Sequence, residues 1–257
     1  MTAKPSGIQV IDRAAALLDA IARYPDPVSL KVLTAETSLH ASTAHRILAS
    51  LIHNGFVERD AAGHYRLGLR LLQLGVRLHS DVDMRAVARP IMDALRDQLG
   101  ESINLTIREG DEVVYIEKAT PKRMIHVQQL IGARAPLHVT AVGKLMLGAG
   151  GEDAIRAYAE RTNLPAYTRN TLSDAAKLRA ACLEAIERGY ALDNEEAELD
   201  VGCIGVLLYD GTGRVAGGLS VSAPIERREL KWIEDLKQAG RTISGQLGWC
   251  EASAVRP

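Results

Sequence analysis

The stretch SLHASTAHRILASLIHNGFVERD, Ser38 to Asp60, decides how the first third of the chain is read. Its apolar residues Ala44, Ile47, Leu48, Leu51 and Ile52 recur at spacings of three and four, the pattern of a helix that buries one face. The polar residues Ser42, Thr43, His45 and Arg46 crowd the start of that helix. Asn54-Gly55 supplies its stop, because both residue types tolerate the left-handed backbone that ends helices. FVERDAAGHYRLG then reads as a hairpin, with a turn at Asp60 to Gly63 and a return strand carrying Tyr65 and Leu67.

Before this stretch, Val10, Ile11, Ala14, Leu17, Leu18 and Ile21 form another helical stripe, closed by Pro25 and Pro27. Ser29 is a good N-cap for a short second helix that reaches about Ser38 and buries Leu30, Val32 and Leu33. Helix, helix, tight turn, helix and hairpin is the order of a winged helix-turn-helix, whose third helix places its leading turns against base edges. In that geometry Arg46 pairs with guanine, Thr43 and His45 reach bases or phosphate, and Ser42 caps the helix or binds phosphate. Arg59, His64 and Arg66 of the wing face the phosphate backbone. The same shape also serves as a protein–protein module, and an exposed arginine is often merely solvated. The pattern alone leaves both readings open.

Charge does not separate them. The net charge is −1, with nine Lys/Arg against six Asp/Glu in residues 1–80 and an acidic remainder. Such an asymmetry suits a polyanion contact and a solvated face about equally. Three cysteines, Cys182, Cys203 and Cys250, stand far apart and make neither a disulfide framework nor a metal knuckle. A reducing cytoplasm is the simple expectation. The first residues lack the apolar core of a signal peptide, and no eighteen apolar residues run together, so neither secretion nor membrane spanning is expected.

LGLRLLQLGVRLHSDVDMRAVARPIMDALRDQLG continues as helix, interrupted near Ser80, and reads as a connecting helix joined to the first helix of a second domain. After Gly100, alternation on both sides of Glu109-Gly110-Asp111 predicts a hairpin. A further strand is expected over RMIHVQQL, then a helix from about Ala141, two helices near 152–161 and 174–189, strands CIGVLLYD and GRVAGGLSVS, and a final helix over 226–250. The fold class is therefore α+β, with residues 1–68 as the winged helix-turn-helix, 69–83 as a linker helix and 84–257 as a sensor-like domain.

With these motifs in place, the chain resembles the IclR family of bacterial transcriptional regulators over nearly its whole length. STAHRILASLIHNGFVERD and GHYRLGLRLLQLG are similar to the family's recognition helix, wing and linker start. PLHVTAVGKLML, GYALDNEEAELDVGCIGVLLYD and GGLSVSAPIER resemble its three effector-domain signatures, in order. The resemblance implies a dimeric or tetrameric regulator that binds double-stranded operator DNA. Its C-terminal domain would be GAF-like and bind a small organic effector, a carboxylic or aromatic acid, without cofactor. It implies a pocket floored by Thr140, Ala141, Val142 and Gly143, with the Ala141 and Val142 N–H groups holding a carboxylate at the positive end of the helix. Asp193, Cys203, Ser220 and Ser222 match the polar pocket positions, and Met124, Val127, Ala135 and Val201 the apolar wall.

Two departures stand out: Asp200 where the family commonly has Gly, and Leu207 where it usually has Pro. Asp200 is expected to disfavour an acid or bring a cation, and the small Ala135 to leave room for a larger, aromatic effector.

Enzymatic readings fare worse. A single Cys203 opening an apolar strand reads as core more readily than as a nucleophile. Asp193 with Glu195 and Glu196 reads as solvated surface rather than a metal or acid–base cluster. AVGKL lacks the spaced glycine and following Ser/Thr of a phosphate loop, and DGTGRVA lacks the helix a dinucleotide fingerprint requires. His126, His138 and the N-terminal histidines have no metal-ligand spacing, and His138, beside the pocket loop, reads as structural. Trp232 and Trp249 read as packing.

Overall fold

The computed structural model describes residues 8–79 and 83–250. The chain divides into two compact units at residue 83.

The N-terminal unit runs α1 (Gln9–Ala22), α2 (Leu30–Thr37), α3 (Ala41–His53), β1 (Val57–Arg59), β2 (Tyr65–Leu67) and α4 (Leu69–His79). Ser29 caps α2 through its side chain, as its position predicts, and Ser38 turns the chain into α3 in the left-handed conformation, φ 54°. Leu17, Leu33, Ala44, Leu48 and Tyr65 close the core of the three helices and the wing. Tyr65 also exchanges both backbone hydrogen bonds with Val28 at 2.8 Å, which ties the wing to the α1–α2 connection. The α1 stripe is only half used. Leu17, Ala20 and Ile21 are buried, whereas Val10 and Ile11 are 55% and 61% exposed, because no other element among the described residues of this unit covers the first turns.

The C-terminal unit begins with α5 (Met84–Leu99), followed by β3 (Ser102–Glu109), β4 (Glu112–Ala119) and β5 (Arg134–Pro136). Next come α6 (Ala141–Ala149), α7 (Gly151–Thr162), α8 (Ala175–Arg188), β6 (Ala191–Asn194), β7 (Val201–Tyr209), β8 (Val215–Pro224) and α9 (Trp232–Gln246). The strands form one antiparallel sheet in the order β5-β4-β3-β8-β7-β6. One face packs on α5 and α9 through Met92, Leu95, Trp232, Leu236 and Ile243. The other packs on α6, α7 and α8 through Leu145, Leu147, Tyr158, Leu178 and Cys182.

Two expectations fail here. RMIHVQQL forms no strand, because side chains rather than a ladder hold its carbonyls: Ser102 Oγ donates to Val127 O at 2.6 Å and Lys118 Nζ to Gln129 O at 2.9 Å. The β4 edge is taken by β5 instead. The last helix starts at Trp232, six residues later than expected, after a 3-10 turn over Ile225–Arg227.

Candidate functional site

On α3, Ser42, His45 and Arg46 are exposed and Thr43 is half-buried, while Ala44, Ile47 and Leu48 face the core. The polar crowding at the helix start is thus a free surface. Ser42 does not cap the helix; His40 holds the N-cap position without a side-chain bond. In the wing, Arg66 is already paired with Glu58 through bonds of 2.9 and 2.7 Å. Arg59 donates to the Gly63 carbonyl at 3.1 Å and lies over the Tyr65 ring, and His64 stands 3.6 Å from Asp60. The wing's cations are therefore partly spent within the wing, which pattern reading could not show.

In the C-terminal unit the N-terminus of α6 rests directly on the sheet. Glycines permit this. A Cβ on Gly205 would lie 2.8 Å from Val142 Cγ1 and 2.9 Å from the Val142 nitrogen, and one on Gly218 would lie 2.7 Å from Val142 Cγ1. Thr140 Oγ1 accepts from the Gly143 N–H at 3.1 Å, and the Lys144 N–H closes the first turn on the Thr140 carbonyl at 3.1 Å. The Ala141 and Val142 N–H groups remain outside the helix's own bonding, at the positive end of its dipole.

They border a cavity of about 70 Å³ between α6, β7 and the segment after β6. Ala135, Ala141, Val142, Asp193, Val201, Cys203 and Ser220 of the expected set line it. Ser222 sits beside it, bonded to Cys203 Sγ at 3.1 Å. Met124 does not reach it: its side chain is fully exposed, at 100%, since the expected strand that would have turned it inward is absent. Val127 is half-buried and lies outside the lining, its carbonyl held by Ser102.

Sequence reading missed Tyr115, Gln129, Ala197 and Glu198, which complete the lining. Tyr115 was within reach, being two residues from buried Val113 on the same strand face; Gln129 sits in the unpaired loop and carried no signal. Asp200 is exposed and outside the cavity lining, with φ +65°, a left-handed backbone conformation that a glycine adopts more readily. Leu207 is buried in mid-strand against the α6 side.

The cavity's electrostatics centre on Asp193, 3% exposed. Burial pushes its carboxyl up to about 6, against a backbone bond from Glu196 and the charge of Lys144 that lower it. Burial likewise pushes the Cys203 thiol and the Tyr115 phenol well up, so both stay protonated; Cys203 is a poor nucleophile. Glu196 is not solvated surface. It is 4% exposed, and both its oxygens accept from Lys144 Nζ, at 2.5 and 2.6 Å. Since Lys144 stands in α6 and the Glu196 N–H donates to Asp193 at 2.8 Å, this buried pair joins the cavity floor to its wall. His138 is fully buried between the Tyr158 hydroxyl, at 2.7 Å, and the Pro165 carbonyl, at 3.0 Å, and is structural. Among the described residues no group of three His, Cys, Asp or Glu is arranged to hold a metal, and no helix is long and apolar enough to cross a membrane.

Comparison with known proteins matches each unit to a domain of one family. Residues 10–61 match the IclR helix-turn-helix domain, and residues 76–246 the bacterial transcriptional regulator IclR C-terminal domain. The DNA-binding transcriptional repressor YiaJ of Escherichia coli is 32% identical over 96% of this chain and 90% of its own length. The HTH-type transcriptional regulator XynR of the same organism is 32% identical over 94% and 98%. Among solved structures, Thermotoga maritima IclR superposes with a TM-score of 0.62 at 28% identity, covering 95% of this chain and 100% of that one. An IclR homolog of Microbacterium hydrocarbonoxydans complexed with 4-hydroxybenzoate shares the fold, with a TM-score of 0.61 at 24% identity over 93% and 98%. With a DNA-binding helix-turn-helix and a C-terminal ligand-binding domain, this chain belongs to the IclR family of bacterial transcriptional regulators.

Proposed function

We propose that the chain is a one-component regulator that reads operator DNA with Ser42, Thr43, His45 and Arg46, and senses a compact carboxylic acid in the cavity under α6. The observation that carries this reading is the open end of α6: two N–H groups at a helix N-terminus, bordering a partly open cavity that Asp193 also lines. At roughly 10–15 Å³ per water-sized group, a cavity of about 70 Å³ takes a few heavy atoms. That supports an acid of two to three carbons over the aromatic effector that Ala135 suggests. Arg59 and His64 of the wing contribute phosphate contacts, while Arg66 stays with Glu58. The exposed Ile8, Val10 and Ile11 of the N-terminal unit, with Leu69, Leu72 and Leu74 of α4, favour a homodimer or tetramer, with the 69–83 segment as linker; a reader of operator DNA acts in the cytoplasm. A two-fold dimer requires a palindromic site.

The test is site selection from random duplexes with the purified chain, repeated with acetate, glycolate, lactate and 4-hydroxybenzoate. One of the small acids is expected to change operator affinity, and operator to change that acid's affinity by the same factor. Arg46→Ala should remove sequence-specific binding and leave acid binding intact; specific binding retained by that variant refutes the assignment of α3.

A further inference from the structure

Asp193, on β6, stands opposite Cys203 on β7, and Cys203 opposite Ser222 on β8. Ser222 Oγ in turn accepts from Asn104 Nδ2 on β3, at 3.0 Å, and lies 3.1 Å from Cys203 Sγ. Four polar side chains thus form a ladder across four strands on the sheet face beneath α6. Asn104 heads it, only 1% exposed, and its Oδ1 has no hydrogen-bond partner among the described residues.

The direction of such a ladder is set by its ends. An ionised carboxylate only accepts, so with Asp193 ionised every proton points its way: Asn104 N–H to Ser222, Ser222 O–H to Cys203, Cys203 S–H to Asp193. The Asn104 amide therefore turns its N–H, and not its oxygen, to Ser222 Oγ. We propose that Asn104 is a positioning residue of the effector pocket: its N–H occupies Ser222 Oγ, keeps the Cys203 S–H on Asp193, and so maintains Asp193 as an acceptor that selects an acid bearing a hydroxyl donor. This rests on the reading of the cavity as the effector site. The other titratable groups bearing on Asp193 are Glu196, Lys144, Tyr115 and Arg228, whose Nη1 donates to the Asp193 carbonyl at 2.7 Å.

Without Asn104 the Ser222 oxygen competes for the thiol proton, and Asp193 loses a donor. The experiment is a carbon-13 NMR titration of the Asp193 carboxyl in the full, ligand-free chain, the signal assigned by its loss in Asp193→Asn. Asn104→Leu should raise the Asp193 midpoint by roughly half to one unit. Ser222→Ala alone should move it little, and the double variant should return towards the native value, because the competing oxygen is gone. No rise in Asn104→Leu, or no return in the double variant, overturns the ladder; should Asn104→Leu fail to fold, a large rise in Ser222→Ala alone overturns it too.

Calorimetry with glycolate and acetate then tests selection. The native chain should favour glycolate by at least about tenfold, and Asn104→Leu by less than about threefold. An unchanged ratio overturns the selective role. If neither acid binds the native chain, the effector class is wrong, and the ladder stands or falls on the titration.

Discussion

Replacing Lys144 by methionine strands a buried carboxylate. Both side chains of the Lys144–Glu196 pair are 5% exposed, and Lys144 Nζ contacts both carboxylate oxygens. Once the ammonium is gone, Glu196 keeps only the Asn194 N–H, at 3.3 Å, as a side-chain donor partner. Breaking one partner of such a pair costs about 3–5 kcal/mol, whereas replacing both by apolar groups is close to neutral. The chain's two tryptophans, Trp232 and Trp249, both lie in the C-terminal unit, so their fluorescence reports that unit's unfolding alone. Urea titration should show Lys144→Met lowering the midpoint by about 1–2 M. Lys144→Met with Glu196→Leu should recover most of that loss. A midpoint for Lys144→Met within about 0.2 M of native, or a double variant less stable than the single, would refute the reasoning, since either result means that Glu196 is not held as an uncompensated charge.

Asp193 sets a pH dependence of definite sign. Its carboxyl is raised from 3.8 to about 6, so the folded chain binds that proton more tightly than the unfolded one. The contribution is complete below about pH 4 and is lost as pH rises through about 6. Native stability minus that of Asp193→Asn should therefore fall by about 2–3 kcal/mol between pH 4 and 7; parallel pH curves for the two proteins would contradict this. Gly205→Ala should cost about 1–3 kcal/mol by driving a methyl into Val142, and should also weaken acid binding by displacing the α6 amides, both readable by urea titration and calorimetry. In the wing, Glu58→Gln frees Arg66. Non-specific DNA affinity at low salt should rise, with the salt slope steeper by about one charge; an unchanged slope would mean that Arg66 stays off the phosphates.

Much of the architecture was legible because local patterns and the core demanded the same thing. The three- and four-residue spacing in α3 served its buried face, the Asp60 to Gly63 turn closed the wing, and alternation about Gly110 built the β3–β4 hairpin. Where no partner element was available, pattern misled: Val10 and Ile11 are apolar yet uncovered, and RMIHVQQL, read as a strand, has no edge to pair with.

Within the candidate site, the sequence offered the helix start at Ala141 and, through motifs that resemble a family's, Asp193, Cys203 and Ser220 as cavity residues, since each lies in a contiguous stretch. Only the tertiary structure decided that Lys144 meets Glu196, fifty-two positions away, that Arg66 is neutralised by Glu58 across a hairpin, and that Asn104 heads a ladder ending at Asp193. The exposed Arg66–Glu58 pair follows from the register of the hairpin, which sets the two residues opposite each other. The other two join elements distant in the chain, and their physical cause is desolvation: charges and amides removed from water take whichever partner the packed sheet brings within reach.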